Sequence, residues 1–244
     1  MSPTTFPQLL REALRRDPGR PLITAYDEAG GWRTELSVTT FANWVNKTAN
    51  LLADEYLLGE GDTIRIDLES HGLVPVFLGA AWTAGIAVTT EASVAAHLIV
   101  TGPEIDEHVV DGIDLPIVAS SLDVFAGRFA TPLPEGVDDF GAMWPGQPDV
   151  FIPSPPPGAM TVAWRHPEDS DSHEELVMRA RKEAESRQGN RLLTSLHPLH
   201  DSAVPTLLAA LVSGGSMVTV AHPRDDEWHT RYDNERSTDV LISH

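Results

Sequence analysis

Two stretches decide the fold class. They are Gly59-Glu60-Gly61-Asp62-Thr63-Ile64-Arg65-Ile66-Asp67-Leu68 and Ala80-Ala81-Trp82-Thr83-Ala84-Gly85-Ile86-Ala87-Val88-Thr89. In the first, a Gly-rich turn leads into strict alternation. Ile64, Ile66 and Leu68 face one way, and Arg65 and Asp67 the other, which predicts a strand with one polar face. In the second, an apolar helix stops at a glycine that tolerates positive φ, and a buried strand follows over 86–89. The same helix, glycine and strand order recurs where Ala209-Ala210-Leu211-Val212-Ser213-Gly214 enters the apolar run 215–220. Further strands are expected at 97–100, 116–119 and 192–196, alternating with helical stretches. The fold class is α/β, with largely parallel sheets flanked by helices in two lobes.

Toward the N-terminus, apolar runs at 22–26 and 32–36 flank Asp27-Glu28-Ala29-Gly30-Gly31 and predict a hairpin. Phe6, Leu9, Leu10, Ala13 and Leu14 share one helical face. Ser37, Thr39 or Thr40 can cap a helix running to about residue 56, with Phe41, Trp44, Val45, Thr48, Leu51, Leu52 and Glu55 as its mostly apolar stripe. Toward the C-terminus, residues 131–158 are rich in Pro, Gly and acid and read as a long surface connection. Ser172-His173-Glu174-Glu175 fits a capping box opening a helix that ends at Gly189-Asn190. The chain 1–244 is expected to form one globular unit, with a first lobe over 6–130 that includes the hairpin and a second lobe over 159–244.

Composition excludes several function classes. There are 36 Asp and Glu against 17 Lys and Arg, a net charge of −19. A phosphate-backbone binder needs clustered cations, so no nucleic-acid partner is expected. An anionic membrane surface would repel the chain as well. Cysteine is absent, which removes disulfides, thiol nucleophiles and thiolate metal sites. The uncharged run 72–90 is long enough to approach a bilayer span, but Gly85 divides it into helix and strand. Charges at Arg11, Glu12, Arg15 and Arg16 interrupt any apolar signal core, so a cytoplasmic location is expected, with no membrane partner.

The order of these elements resembles the N-terminal part of the adenylate-forming (AMP-binding) ligases, among them acyl-CoA synthetases. The resemblance is carried by Phe41-Ala42-Asn43-Trp44-Val45-Asn46-Lys47-Thr48-Ala49-Asn50-Leu51-Leu52, by the Gly59–Asp62 turn and its strand, and by the helix that ends at Gly85. A second match is Arg191-Leu192-Leu193-Thr194-Ser195-Leu196-His197-Pro198-Leu199-His200 with the apolar helix and strand after it. The resemblance implies the N-terminal α/β lobes of that fold in a truncated, degenerate form. It also implies ATP, AMP or coenzyme A as conceivable cofactors, and none follows from the residues themselves.

The departures bear on activity. The family holds ATP phosphates with a Ser/Thr/Gly-rich loop ending in Pro-Lys-Gly. The matching place after Val150-Phe151-Ile152 reads Pro153-Ser154-Pro155-Pro156-Pro157-Gly158. Four prolines have no N–H to donate, and only Ser154 offers a hydroxyl. The chain's lysines, Lys47 and Lys182, both fall on predicted helices. By the same resemblance, the family's later catalytic segments would lie past residue 244. No residue is therefore assigned a catalytic role.

Ser154, Gly158, His197 and His200 are the candidate ligand-binding residues. The resemblance places His200 beside an acyl pocket. His197, His200 and Asp201 could alternatively supply metal ligands or a His–Asp pair, or simply begin a helix with local hydrogen bonds. Two histidines without a third ligand assign no metal site. The expected function is that of a non-catalytic relative of acyl-adenylate-forming ligases that binds an acyl, nucleotide or CoA-like ligand or regulates a partner. The alternatives are one half of a split acid ligase completed by a partner, or a pure protein-interaction module. Removing half of such a fold should uncover apolar surface, so a homodimer is expected.

Overall fold

The structure is a computed structural model, and it describes residues 2–105, 114–187 and 189–242. The chain forms two compact units that are not consecutive in sequence. One comprises residues up to Ala42, Ser70–Pro75 and the chain from Glu174 onward. The other comprises Asn43–Glu69 and Val76–His173.

The first unit is built on a five-stranded sheet of β1 (Pro21–Asp27), β2 (Trp32–Ser37), β10 (Arg191–Thr194), β11 (Ser216–Ala221) and β12 (Asp239–Leu241), in the order β12-β10-β11-β1-β2. The expected hairpin is present, with β1 and β2 antiparallel and Ala25 opposite Thr34. The other edge of β1 pairs in parallel with β11, Thr24 lying opposite Val218. This corrects the expected division into lobes over 6–130 and 159–244. Leu22 to Ala25 are all buried, so β1 is a central strand and needs a neighbour on each side. The hairpin supplies one neighbour, and the apolar strand near the C-terminus supplies the other. Helix α1 (Phe6–Arg16) buries Phe6, Leu9, Leu10 and Ala13, the face its periodicity predicts.

The second unit carries a seven-stranded sheet. Its strands are β3 (Thr63–Asp67), β4 (Ala87–Thr89), β5 (Leu98–Thr101), β6 (Ile117–Ala119), β7 (Val137–Asp139), β8 (Val162–Arg165) and β9 (Ser170–Ser172). Their order is β7-β6-β5-β3-β4-β8-β9, with only the β8–β9 pair antiparallel. Helix α2 (Val38–Asn50) ends in a π turn over Leu51–Glu55. Helix α3 (Leu73–Ala84) stops at Gly85, whose φ is +81°, and β4 follows. Trp82 is fully buried and its Nε1 donates to the Ala163 carbonyl at 2.9 Å, so this tryptophan belongs to the core.

Residues 131–158 are not wholly a loop. They contain β7, the short helix α4 (Phe140–Met143) and a 3-10 turn over Trp144–Gly146. Phe140 sits 4.8 Å from the Phe77 ring and 5.7 Å from Trp144, centroid to centroid. These aromatic contacts order a stretch whose proline and glycine content reads as connection. Among the described residues, no helix is long and apolar enough to cross a membrane.

Candidate functional site

The four candidate residues fall in different units. His197 and His200 lie in the first, on the turn between β10 and helix α6 (Ala203–Ser213). Ser154 and Gly158 lie in the second, on the Pro-rich segment before β8.

The histidine turn is built by local hydrogen bonds. The His200 N–H donates to the His197 carbonyl at 2.8 Å, and the Ala203 N–H to the His200 carbonyl at 2.7 Å. Each ring accepts a backbone N–H two residues ahead through Nδ1, from Leu199 at 3.2 Å and from Ser202 at 3.2 Å. Side-chain acceptors of this kind are what asparagine and serine supply at turns. The neutral tautomer that fits carries its proton on Nε2. His200 is exposed at this turn.

The Pro-rich segment forms no strand. Val150 and Ile152, read as an apolar run before a phosphate loop, project into solvent. The Gly158 N–H donates to the Thr161 hydroxyl at 2.9 Å, and that hydroxyl donates to the Glu60 carboxylate at 2.9 Å. The N–H that an anion would use is thus satisfied, with a carboxylate behind it.

Two strands and a turn frame a concavity elsewhere in this unit. Strand β8 (Val162–Arg165) turns through His166-Pro167-Glu168-Asp169 into β9, which closes this unit at His173, the first residue of helix α5 (His173–Ser186). A concavity of about 650 Å³ opens beside this turn. It is lined by Thr63, Ser93, His97, Arg165, His166 and Glu168 among others, Thr63 being buried and Ser93, His97 and Glu168 exposed. Arg165 Nε donates to Thr63 Oγ1 at 2.8 Å, which fixes the guanidinium. No carboxylate among the described residues pairs with Arg165. His97 and His166 each face an aspartate, Asp62 at 3.5 Å and Asp171 at 3.2 Å. The volume is that of a small-ligand site, and Arg165 can hold one carboxylate. Glu168 and Asp169 make the lip acidic and oppose a polyphosphate. Arg165 carried no signal, because its neighbours in the concavity come from 61–63 and 93–97.

A second charged cluster lies in the first unit. Glu235, almost fully buried, accepts hydrogen bonds from Tyr26, Arg33 and Arg191, the Arg33 Nε contact being 2.8 Å. Burial alone would raise the Glu235 pKa, but these donors outweigh it and hold the carboxyl at about 2. The arrangement fastens the residues after helix α7 (Trp228–Asn234) to β1, β2 and β10. Among the described residues, no three His, Asp or Glu side chains gather as a metal-binding group.

Comparison with known proteins supplies the family. No family model matches the chain. A TIGR03089 family protein of Mycobacterium tuberculosis is 34% identical over 249 residues, covering 98% of this chain and 99% of that protein. The chain belongs to the TIGR03089 family. Solved structures place the fold of this TIGR03089 family member. A fatty acyl CoA synthetase of Mycobacterium tuberculosis superposes with a TM-score of 0.74 at 14% identity, over 97% of this chain and 49% of that one. Coronafacic acid ligase from Pectobacterium brasiliense gives 0.75 at 9% identity, over 98% and 50%. The N-terminal domain of FACL13 from Mycobacterium tuberculosis gives 0.74 at 13% identity, over 98% and 62%. The TIGR03089 chain therefore has the fold of the N-terminal part of adenylate-forming ligases and spans about half the length of these solved proteins.

Proposed function

We propose that this protein is a non-catalytic relative of acyl-adenylate-forming ligases that keeps their N-terminal fold as a binding scaffold. One observation carries the reading. Where the resemblance puts the phosphate loop, four prolines lack N–H groups, and the Gly158 N–H is bonded to Thr161, which in turn is bonded to Glu60. An ATP phosphate would meet one serine hydroxyl and a nearby carboxylate in place of a cradle of donors.

Of the acyl, nucleotide and CoA-like ligands, the concavity around Arg165 favours the first. A small carboxylic acid would set its carboxylate on the guanidinium, while the acidic lip disfavours the phosphates of ATP or coenzyme A. The test is ATP–pyrophosphate exchange with a panel of carboxylic acids, beside calorimetric titration with Mg-ATP, AMP, coenzyme A and the free acids. Silence with ATP and saturable heat with an acid, abolished in Arg165→Met, is the expected outcome. Exchange above the protein-free blank would refute the non-catalytic reading, and the split-ligase reading would replace it.

A further inference from the structure

The segment from Pro145 to Thr161 runs beside the end of α2 and is fastened to it. Asn50 Nδ2 donates to the Pro148 and Val150 carbonyls at 2.9 and 3.0 Å, and Gln147 Nε2 donates to Glu55 at 3.2 Å. At its far end Thr161 is bonded to Glu60. The backbone is thus held close to the unit, yet large apolar side chains along it point away. Val150, Ile152 and Met160 are 67–82% exposed, and so is Leu57, which lies between the Glu55 and Glu60 fastenings. Scattered exposed apolar residues are ordinary, but these four lie on two stretches, 50–60 and 147–161, that are tied to each other at Asn50, Glu55 and Glu60, and this ridge offers a surface to cover.

The charges around this ridge describe what covers it. Asp54, Glu55 and Glu60 are exposed along the α2 side. None of them has a cationic partner among the described residues, whereas Asp149 is neutralised by Lys47 at 3.2 Å. A second copy of the chain would bring the same acidic rim against this one, within a molecule of net charge −19. The ridge also cannot recruit an added strand, because residues 153–157 carry four prolines and a single N–H.

We infer that the ridge of Leu57, Val150, Ile152 and Met160 docks the apolar face of a basic amphipathic helix from a partner protein. The partner's Lys and Arg flanks would meet Asp54, Glu55 and Glu60. This rests on the reading of the protein as a scaffold and specifies its partner's chemistry.

The test uses the full chain and a fluorescently labelled amphipathic Leu/Lys peptide of about four helical turns. Two controls accompany it, a scramble of the same composition and a version with Glu replacing Lys. Anisotropy should show saturable binding of the Leu/Lys helix, weakened roughly tenfold or more in Ile152→Ser/Met160→Ser and in Glu55→Gln/Glu60→Gln. These side chains are exposed, so the variants should keep the wild-type circular dichroism. Three outcomes would overturn the proposal: equal binding of the scramble, unchanged affinity in both variants, or a wild-type dimer that becomes a monomer in Ile152→Ser/Met160→Ser. ATP–pyrophosphate exchange, measured separately, decides the non-catalytic reading whatever the peptide does.

Discussion

His173 sets a pH dependence of stability that can be worked out from its place in the fold. It opens α5, its N–H donates to the Thr161 carbonyl at 3.0 Å, and its side chain is buried. Burial lowers its pKa from 6.5 to about 4. A positive charge at a helix N-terminus is disfavoured as well. In the unfolded chain the ring titrates near its ordinary value, so between pH 6.5 and 4 the unfolded state binds a proton that the folded state does not. Stability therefore falls as pH drops through this window. From about pH 7 to about pH 5 the loss is roughly 2 kcal/mol by linkage. The carboxylate of Glu235 adds little there, because its own loss runs from its ordinary 4.5 down to about 2. The assay is urea denaturation at several pH values, followed by circular dichroism and tryptophan fluorescence together, since two units need not unfold as one. The midpoint should fall with pH in the wild type and much less in His173→Gln. Identical slopes in the two proteins would refute the assignment.

The remaining predictions concern the core, the buried carboxylate and the assembly. Glu235→Ala leaves Arg191 and Tyr26 without their shared acceptor, and should cost about 3 kcal/mol of unfolding free energy at neutral pH; a loss under about 1 kcal/mol would show the cluster to be solvated. Trp82→Phe keeps most of the packing but strips the donor from the Ala163 carbonyl, for a cost of about 1–3 kcal/mol in the urea midpoint analysis. The homodimer expected from sequence would have to form through a surface other than the ridge of Leu57, Val150, Ile152 and Met160; it should appear as twice the 26.5 kDa chain mass in light scattering at micromolar concentration, and a single-chain mass would discard it.

Much of the local structure was legible because its causes are local. The alternation at 63–68 and the glycine stops at Gly85 and Gly214 placed β3, α3, β4, α6 and β11 to within a few residues. The buried α2 stripe was read correctly from Phe41 to Leu52, but Glu55, also expected on it, is exposed where the last turn is π, an end effect that periodicity does not encode. The candidate site was legible only in part. The local reading of His197 and His200 could be drawn from their turn, since their acceptors serve neighbours two residues away. The concavity could not, because Thr63, His97 and Arg165 approach each other only once β3, β5 and β8 are in one sheet.

The sequence by itself determined the α/β class, the apolar helices, the hairpin and the scarcity of phosphate donors over 153–158, since backbone preference and proline chemistry act within a few residues. Only the tertiary structure decided that β1 pairs with β11, and that the first unit is assembled from both ends of the chain. It alone showed that Val150, Ile152 and Met160 face solvent while Glu235 is buried among arginines. The physical reason is that strand pairing and burial depend on partners distant in sequence, and the pattern of a single segment says that it needs a neighbour without saying which one.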